Sequence, residues 1–217
     1  MSVQDDLREK ELIILFQLER PVKPTRSGID ALLDLNGQKI PFELKSTTKS
    51  SVTTVRDFGL EHIRKWKGKH WLFGFYETGG LQLNYCLYGS PEKMEPWIRE
   101  KEAYIYSDYQ LAQHTPKRLD LTVLYQILGQ KTIYSLEDAQ KLHKRQYTLS
   151  EYQRQMDVEQ GYSPTRMLAI LQDRCKYLLE RGSTLNNPHI PGSYFQGWEK
   201  ITRHHAVRLR QLVAQSL

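Results

Sequence analysis

An Asn-Gly pair at positions 36–37, set between alternating apolar residues, constrains this chain more than any other feature. The surrounding stretch reads Gly28-Ile-Asp-Ala-Leu-Leu-Asp-Leu-Asn-Gly-Gln-Lys-Ile-Pro-Phe-Glu-Leu-Lys45. Asn-Gly accepts the two positive φ angles of a type I′ turn, whose twist matches that of the strands it joins. A two-residue loop fixes the register. Leu35 pairs with Gln38, Asp34 with Lys39, Leu33 with Ile40, Ala31 with Phe42 and Ile29 with Leu44. One face of the hairpin is then wholly apolar, and Asp34 and Lys39 form a cross-strand charge pair on the other. The same register sets Asp30 opposite Glu43, and Lys45, two residues on, shares the face of Glu43.

Like charges directly opposed across two strands are destabilising, so two such carboxylates call for something positive between them. A hard divalent cation answers that need. Mg²⁺ takes one or two carboxylates and fills its remaining positions with water and phosphate oxygens. The carbonyl of Leu44 adds a further oxygen, and Lys45 is placed to orient an attacking water or to stabilise charge on a phosphate. The competing reading is the solvated face of an edge strand, since a Glu-x-Lys triplet is common in ordinary proteins. Turn, alternation and register agree on one arrangement, which favours the metal site.

An Asp, a short hairpin, then Glu-x-Lys and a Ser/Thr run: this order resembles the PD-(D/E)xK nuclease superfamily, in particular its type II restriction endonucleases. The resemblance covers roughly residues 10–90, and Ile29 stands where that family carries a proline. It implies that Asp30 and Glu43 bind Mg²⁺, with Mn²⁺ able to substitute, and that Lys45 assists the attacking water. An acidic residue on the preceding helix often joins such sites; Glu11 is the candidate, with Glu9 and Glu19 competing. The implied fold is α/β, a central mixed four- to five-stranded sheet flanked by helices.

The rest of the chain is compatible with that reading. With 217 residues, 39% of them hydrophobic, it can bury a real core. A net charge of +6 points to an anionic partner, as double-stranded DNA would be. Cys86 and Cys175 read as buried thiols. No signal peptide and no apolar run of membrane-spanning length is recognisable, so the expected compartment is cytoplasmic, without a membrane partner. Gly-rich phosphate loops, paired Cys/His ligand sets and a Gly-x-Ser-x-Gly elbow are missing, which removes support for P-loop, Rossmann and serine-hydrolase chemistry.

Along the chain, residues 5–19 read as an opening helix with Leu7, Ile14 and Leu18 among its apolar positions, ended by Pro21 and Pro24. A strand at 12–16 is the alternative. Ser46-Thr-Thr-Lys-Ser-Ser-Val-Thr-Thr-Val-Arg56 is either a surface loop or a phosphate-binding loop using Ser46, Thr47, Lys49 and Arg56. A short helix over 57–69 leads to His70–Tyr76, an apolar run that reads as a strand buried on both faces. A hairpin through Thr78-Gly-Gly80 then leads into residues 81–89.

From Pro91 the pattern turns helical, giving two divisions: a nuclease core over 1–90 and a mostly helical extension over 91–217 for DNA recognition and dimerisation. Helices are expected over 92–102, 135–145 with a Ser135/Asp138 capping box, and from Thr148 or Ser150 to about Gln160. Another starts at Ser163-Pro164, burying Met167, Leu168, Ile170, Leu171, Leu178 and Leu179. The polar stretch 181–194 is a surface connector or a base-reading loop. Arg and Asn are the side chains that read guanine and adenine bidentately, which singles out Arg181, Asn186, Asn187 and His189. A last helix spans 198–217. The combined expectation is a Mg²⁺-dependent, sequence-specific endonuclease of double-stranded DNA, acting as a homodimer on a short palindrome. The alternatives are a structure-specific repair or recombination nuclease, such as a junction resolvase, and a non-catalytic DNA-binding protein on the same scaffold.

Overall fold

Asn36 and Gly37 take φ of 54° and 84°, the two positive values of a type I′ turn. They join β1 (Ala31–Leu35) to β2 (Gln38–Thr47) in the register the turn dictates, from Leu35 opposite Gln38 to Ala31 opposite Phe42. Lys39 Nζ lies 2.7 Å from Asp34, and the other carboxylate oxygen of Asp34 accepts from the Gly37 N–H. The computed structural model describes residues 3–21, 28–55, 58–80, 82–182 and 187–217, with the side chains from residue 6 onward. The expectations for Pro24, Arg56 and Asn186 lie outside the described residues.

β2 outlasts β1. Past the short β3 (Val52–Thr53) and a helix over Leu60–Trp66, the chain returns as β4 (His70–Tyr76), which pairs with β2 in parallel from Phe42–His70 to Thr47–Phe75. β5 (Leu83–Gly89) then runs antiparallel to β4, giving a four-stranded mixed sheet in the order β1-β2-β4-β5. Every residue of β4 is buried, as its apolar run requires of a central strand covered on both faces. Pro41 is tolerated inside β2 for a local reason. Its missing N–H faces the β4 side, where pairing begins only at the next residue.

Two layers cover this sheet. On one, Ile40, Phe42, Leu44 and Leu72 pack with Leu12, Ile13 and Phe16 of α1 (Val3–Phe16) and with Leu209 and Val213 from the C-terminal end of the chain. On the other, Trp71 and Phe73 of β4 stack together, and Trp66 of α2 (Leu60–Trp66) packs against Phe58, Trp71 and Trp97. The opening helix is shorter than expected and turned differently. It stops at Phe16 because Gln17 adopts a left-handed φ of 53°, ahead of either proline. Its buried face is Leu12, Ile13 and Phe16, whereas Leu7 and Ile14 are exposed. Leu18 is buried as expected, but beyond the helix end. Glu19 then exchanges both backbone hydrogen bonds with Leu32, a single bridge on the outer edge of β1.

The chain divides into two compact units, 1–104 with 185–217, and 105–184. The division expected at residue 90 follows composition, whereas these units follow packing. One helix, α3 (Pro91–His114), runs through the position where a break was expected after 102 and contains Pro96. In the sheet-bearing unit, β6 (His189–Ile190) pairs with β3, and a 3-10 turn follows at Gly192–Phe195. The expected helix from Trp198 starts only at α8 (His205–Ala214). Gly197 has a positive φ, and Ile201 spends its backbone on Cys86 of β5, with bonds of 2.8 and 2.9 Å.

The second unit is helical, with α4 (Leu121–Leu128), α5 (Leu136–His143), α6 (Leu149–Arg154) and α7 (Pro164–Gly182). Asp120, Ser135 and Thr148 cap the first three, and Ser135 and Asp138 complete the expected box. Left-handed Lys144 ends α5 just short of 145, and α6 stops at Arg154, well short of Gln160. The core of this unit gathers Leu124, Tyr134, Tyr152 and Tyr162 around Met167, Ile170 and Leu171. Leu178, expected in that face, is exposed. Among the described residues no helix is long and apolar enough to cross a membrane.

Candidate active site

β1 and β2 part at Asp30. Its backbone N–H donates to the Phe42 carbonyl at 3.2 Å, and the strand pairing ends at Ala31. Ile29 therefore does not pair with Leu44, and it is exposed. Nor is Asp30 the strict cross-strand partner of Glu43. Alternate residues of a strand direct their backbone groups to the same side, so Leu44, like Phe42, presents its N–H and C=O to the side that β1 has left. The Asp30 carboxylate fills part of that gap, with Oδ2 accepting from the Leu44 N–H at 2.9 Å.

The positive group between the two carboxylates is Lys45. Its Nζ lies 2.7 Å from Glu43 Oε1 and 3.9 Å from Asp30 Oδ2. A second lysine reaches the other oxygen of Glu43, Lys69 Nζ standing 3.0 Å from Oε2. All of this is nearly dry: the Glu43, Lys69 and Lys45 side chains are 7%, 8% and 15% exposed. Burial opposes ionisation of Glu43, but Lys45 and Lys69 outweigh it and hold its carboxyl below the usual range. Asp30 is pushed the other way, chiefly by burial and then by the charge of Glu43, against the pull of Lys45. For Lys45, burial disfavours the charge, and the two carboxylates more than restore it, so it is held protonated.

Asp30, Leu44 and Lys45 open onto a cavity of about 410 Å³. Glu9 of α1 joins them there, and burial followed by the Asp30 charge raises its carboxyl above the usual range. Glu11 sits elsewhere, accepting a 2.9 Å hydrogen bond from the Tyr76 hydroxyl. The acidic residue that the opening helix contributes to this cavity is thus Glu9 and not Glu11. Helical geometry explains it, because Glu9 lies three, four and seven residues before the buried Leu12, Ile13 and Phe16.

Ser46, Thr53, Thr54 and Asn187 line the same cavity. Thr54 anchors the β6 side by donating from its hydroxyl to the Pro188 carbonyl at 2.6 Å, which presents Asn187. Thr47 is withdrawn. Its hydroxyl donates to the Ser51 carbonyl and accepts from the Lys49 N–H, which tightens the turn instead of facing a ligand. His189 lines a neighbouring cavity of about 380 Å³, which also takes in Asn187. Arg181 belongs to the other compact unit, where its guanidinium donates to the Tyr177 hydroxyl.

One family model matches residues 2–134, more than half of the chain: restriction endonuclease PvuII. The chain belongs to the restriction endonuclease PvuII family. No curated protein matches it. Membership makes this a nuclease of the restriction-endonuclease type, a class that acts on DNA.

The donor set of this PvuII-family member can be tested against a divalent cation. Among the described residues, no three His, Cys, Asp or Glu side chains converge as a ready-made metal cage. Mg²⁺ does not need one, because it keeps several waters and uses one or two carboxylates beside substrate phosphate. A buried carboxylate, Glu43, a half-buried one, Asp30, a backbone carbonyl on the vacated strand edge and an ammonium already bridging the acids fit such an ion. Sequence reasoning named Glu9 only as a competitor of Glu11, and it missed Lys69. A helical stripe drawn through Leu12, Ile13 and Phe16 selects Glu9 among the three acids; Lys69 carries no motif.

Proposed function

We propose that this chain is a Mg²⁺-dependent, sequence-specific endonuclease of double-stranded DNA that works as a homodimer in the cytoplasm. The observation that carries the reading is the Asp30–Lys45–Glu43 constellation, of which Asp30 and Lys45 line an open cavity and Glu43 lies buried behind Lys45. Mg²⁺, or Mn²⁺ in its place, would be held by Asp30, Glu43 and the Leu44 carbonyl, with Glu9 beside them, and would supply Lewis-acid charge for hydrolysis of the phosphodiester.

Lys45 enters this chemistry as a cation. Held protonated by its two carboxylates, it donates hydrogen bonds to the attacking water and to phosphate oxygens and does not accept the proton. Ser46 and Thr53 offer hydroxyls to the DNA backbone from the same wall, and Lys49 contributes charge from the adjacent turn. Asn187 faces the cavity from the β6 side and is the base-reading candidate best supported by position. Arg56, Arg181, Asn186 and His189 complete the proposed DNA-contacting set. A twofold assembly would match a palindromic site, one active site per strand.

The test is cleavage of plasmid or phage DNA with Mg²⁺ by the native protein, Lys45→Ala and Glu43→Ala. Discrete fragments that disappear in both variants support the reading, and sequencing their ends yields the site. Cleavage that survives both substitutions refutes the assignment of these residues. Tight, salt-sensitive binding without cleavage would move the protein to a DNA-binding role.

A further inference from the structure

The strand pairing that holds Asp30 near Glu43 stops one residue too early to fix their separation. Beyond Ala31, among the described residues, the segment Gly28–Asp30 is held by the Asp30 bonds to Phe42 and Leu44, by Lys45 at 3.9 Å from the Asp30 carboxylate, and by one more long side chain from the far side of β2. That side chain is Lys69. Its ammonium donates to the Gly28 carbonyl at 3.3 Å and to Glu43 Oε2 at 3.0 Å. It thereby ties the backbone two residues before Asp30 to the carboxylate of Glu43. An ammonium with three donors suits such a bridge, and at 8% exposure water competes little for these bonds.

Lys69 is itself well anchored. Gly68 takes a positive φ of 75°, which turns the chain out of α2, and the Lys69 N–H donates to the Trp66 carbonyl at 3.2 Å. The next residue, His70, is already in the parallel ladder opposite Phe42. The root of the side chain is therefore fixed by the central strand, and its tip joins the Gly28 carbonyl to the Glu43 carboxylate.

We infer that Lys69 is a positioning residue of the nuclease site: by bridging Gly28 and Glu43 it sets the spacing of the Asp30 and Glu43 carboxylates, and with it their affinity for a divalent cation. The inference rests on the reading that these two acids bind the metal. The rival account treats Lys69 only as a counter-charge for buried Glu43. On that account its removal would tighten cation binding, because a like charge leaves the site.

The experiment is calorimetric titration of the full chain with Mn²⁺ in the absence of DNA, using the native protein, Asp30→Asn, Lys69→Met and Lys69→Arg. Tryptophan emission checks that each is folded at the working temperature. The native protein should bind and Asp30→Asn should not. Lys69→Met should bind about tenfold more weakly or worse, and Lys69→Arg within about threefold of native. Should Lys69→Met fail to fold, Lys69→Gln, whose amide keeps donors but no charge, is titrated instead and is expected to weaken binding less than tenfold. Native or tighter affinity in the neutral variant overturns the positioning role while leaving the metal site standing. Absence of Mn²⁺ binding to the native protein overturns the metal site and the inference with it.

Discussion

Replacing Lys45 by Met, which keeps the length of the stem and removes the charge, should destabilise the metal-free protein by about 3 kcal/mol at neutral pH. The magnitude follows from the contacts. At an effective dielectric of about 20, an ammonium 2.7 Å from Glu43 and 3.9 Å from Asp30 gains roughly 6 and roughly 4 kcal/mol of attraction. Desolvation of a side chain only 15% exposed takes back much of this. Breaking a buried pair by removing one partner typically costs about 3–5 kcal/mol. The lower end applies here because Glu43 keeps Lys69 at 3.0 Å.

The assay is urea or thermal unfolding followed by tryptophan emission in the presence of a chelator. All four tryptophans, Trp66, Trp71, Trp97 and Trp198, lie in the sheet-bearing unit, so the signal reports that unit alone. A loss of this size lowers its midpoint by about 6–12 °C. The pH dependence supplies an independent check. In the native protein the carboxyl of Glu43 lies below its ordinary value, so its contribution is present above that value and lost as pH falls through the native pKa. Asp30 has the opposite sign, raised by burial first, so it costs stability at neutral pH and that cost is relieved on protonation. Without Lys45 both carboxyls move upward. The deficit of the variant should therefore shrink as pH falls from neutral and its upward-shifted carboxyls protonate ahead of those of the native protein. A loss below about 1 kcal/mol, or a deficit that does not change with pH, would refute the reasoning.

Three further outcomes follow from the same geometry. Glu9→Gln should weaken Mn²⁺ binding about tenfold, whereas Glu11→Ala should leave it unchanged and cost about 2 kcal/mol in unfolding through its lost bond from Tyr76; calorimetry and melting separate the two. Acidification should weaken Mn²⁺ binding at a higher pH than an exposed aspartate would dictate, because the Asp30 carboxyl is raised by burial. A titration series that lost affinity only in the ordinary aspartate range would contradict this. Gly161→Ala would bring a Cβ within 2.6 Å of the Tyr134 carbonyl oxygen and should destabilise the second unit by about 2 kcal/mol. Faster amide exchange over 105–184, with the tryptophan transition unmoved, is the expected result.

The site was legible to the extent that its chemistry is local. Asp30, Glu43 and Lys45 are separated by one tight turn, so turn chemistry and period-two alternation place them together without knowledge of the rest of the chain. The same logic recovered the cap at Ser135 and the buried run of β4. Errors arose where local pattern met a competing long-range bond. Ile201 pairs with Cys86 at the edge of β5, so an apparent helix from Trp198 starts only at His205. Glu19 pairs with Leu32, so the opening helix gives way to a bridge. Asp30 turns its carboxylate onto the Leu44 N–H, so the ladder ends before Glu43 finds a partner.

By itself, the amino-acid sequence determined the hairpin, its register from Leu35–Gln38 to Ala31–Phe42 and the proximity of the two acids and the lysine at its open end, because a two-residue turn fixes the pairing next to it. Only the tertiary structure decided which acid of α1 faces them, since that depends on the face the helix buries. It alone brought Asn187 from more than a hundred residues away to the cavity, through the two-residue ladder between β3 and β6. It alone set Lys69 against Glu43, because parallel pairing of β2 with β4 aligns positions that no short-range spacing relates.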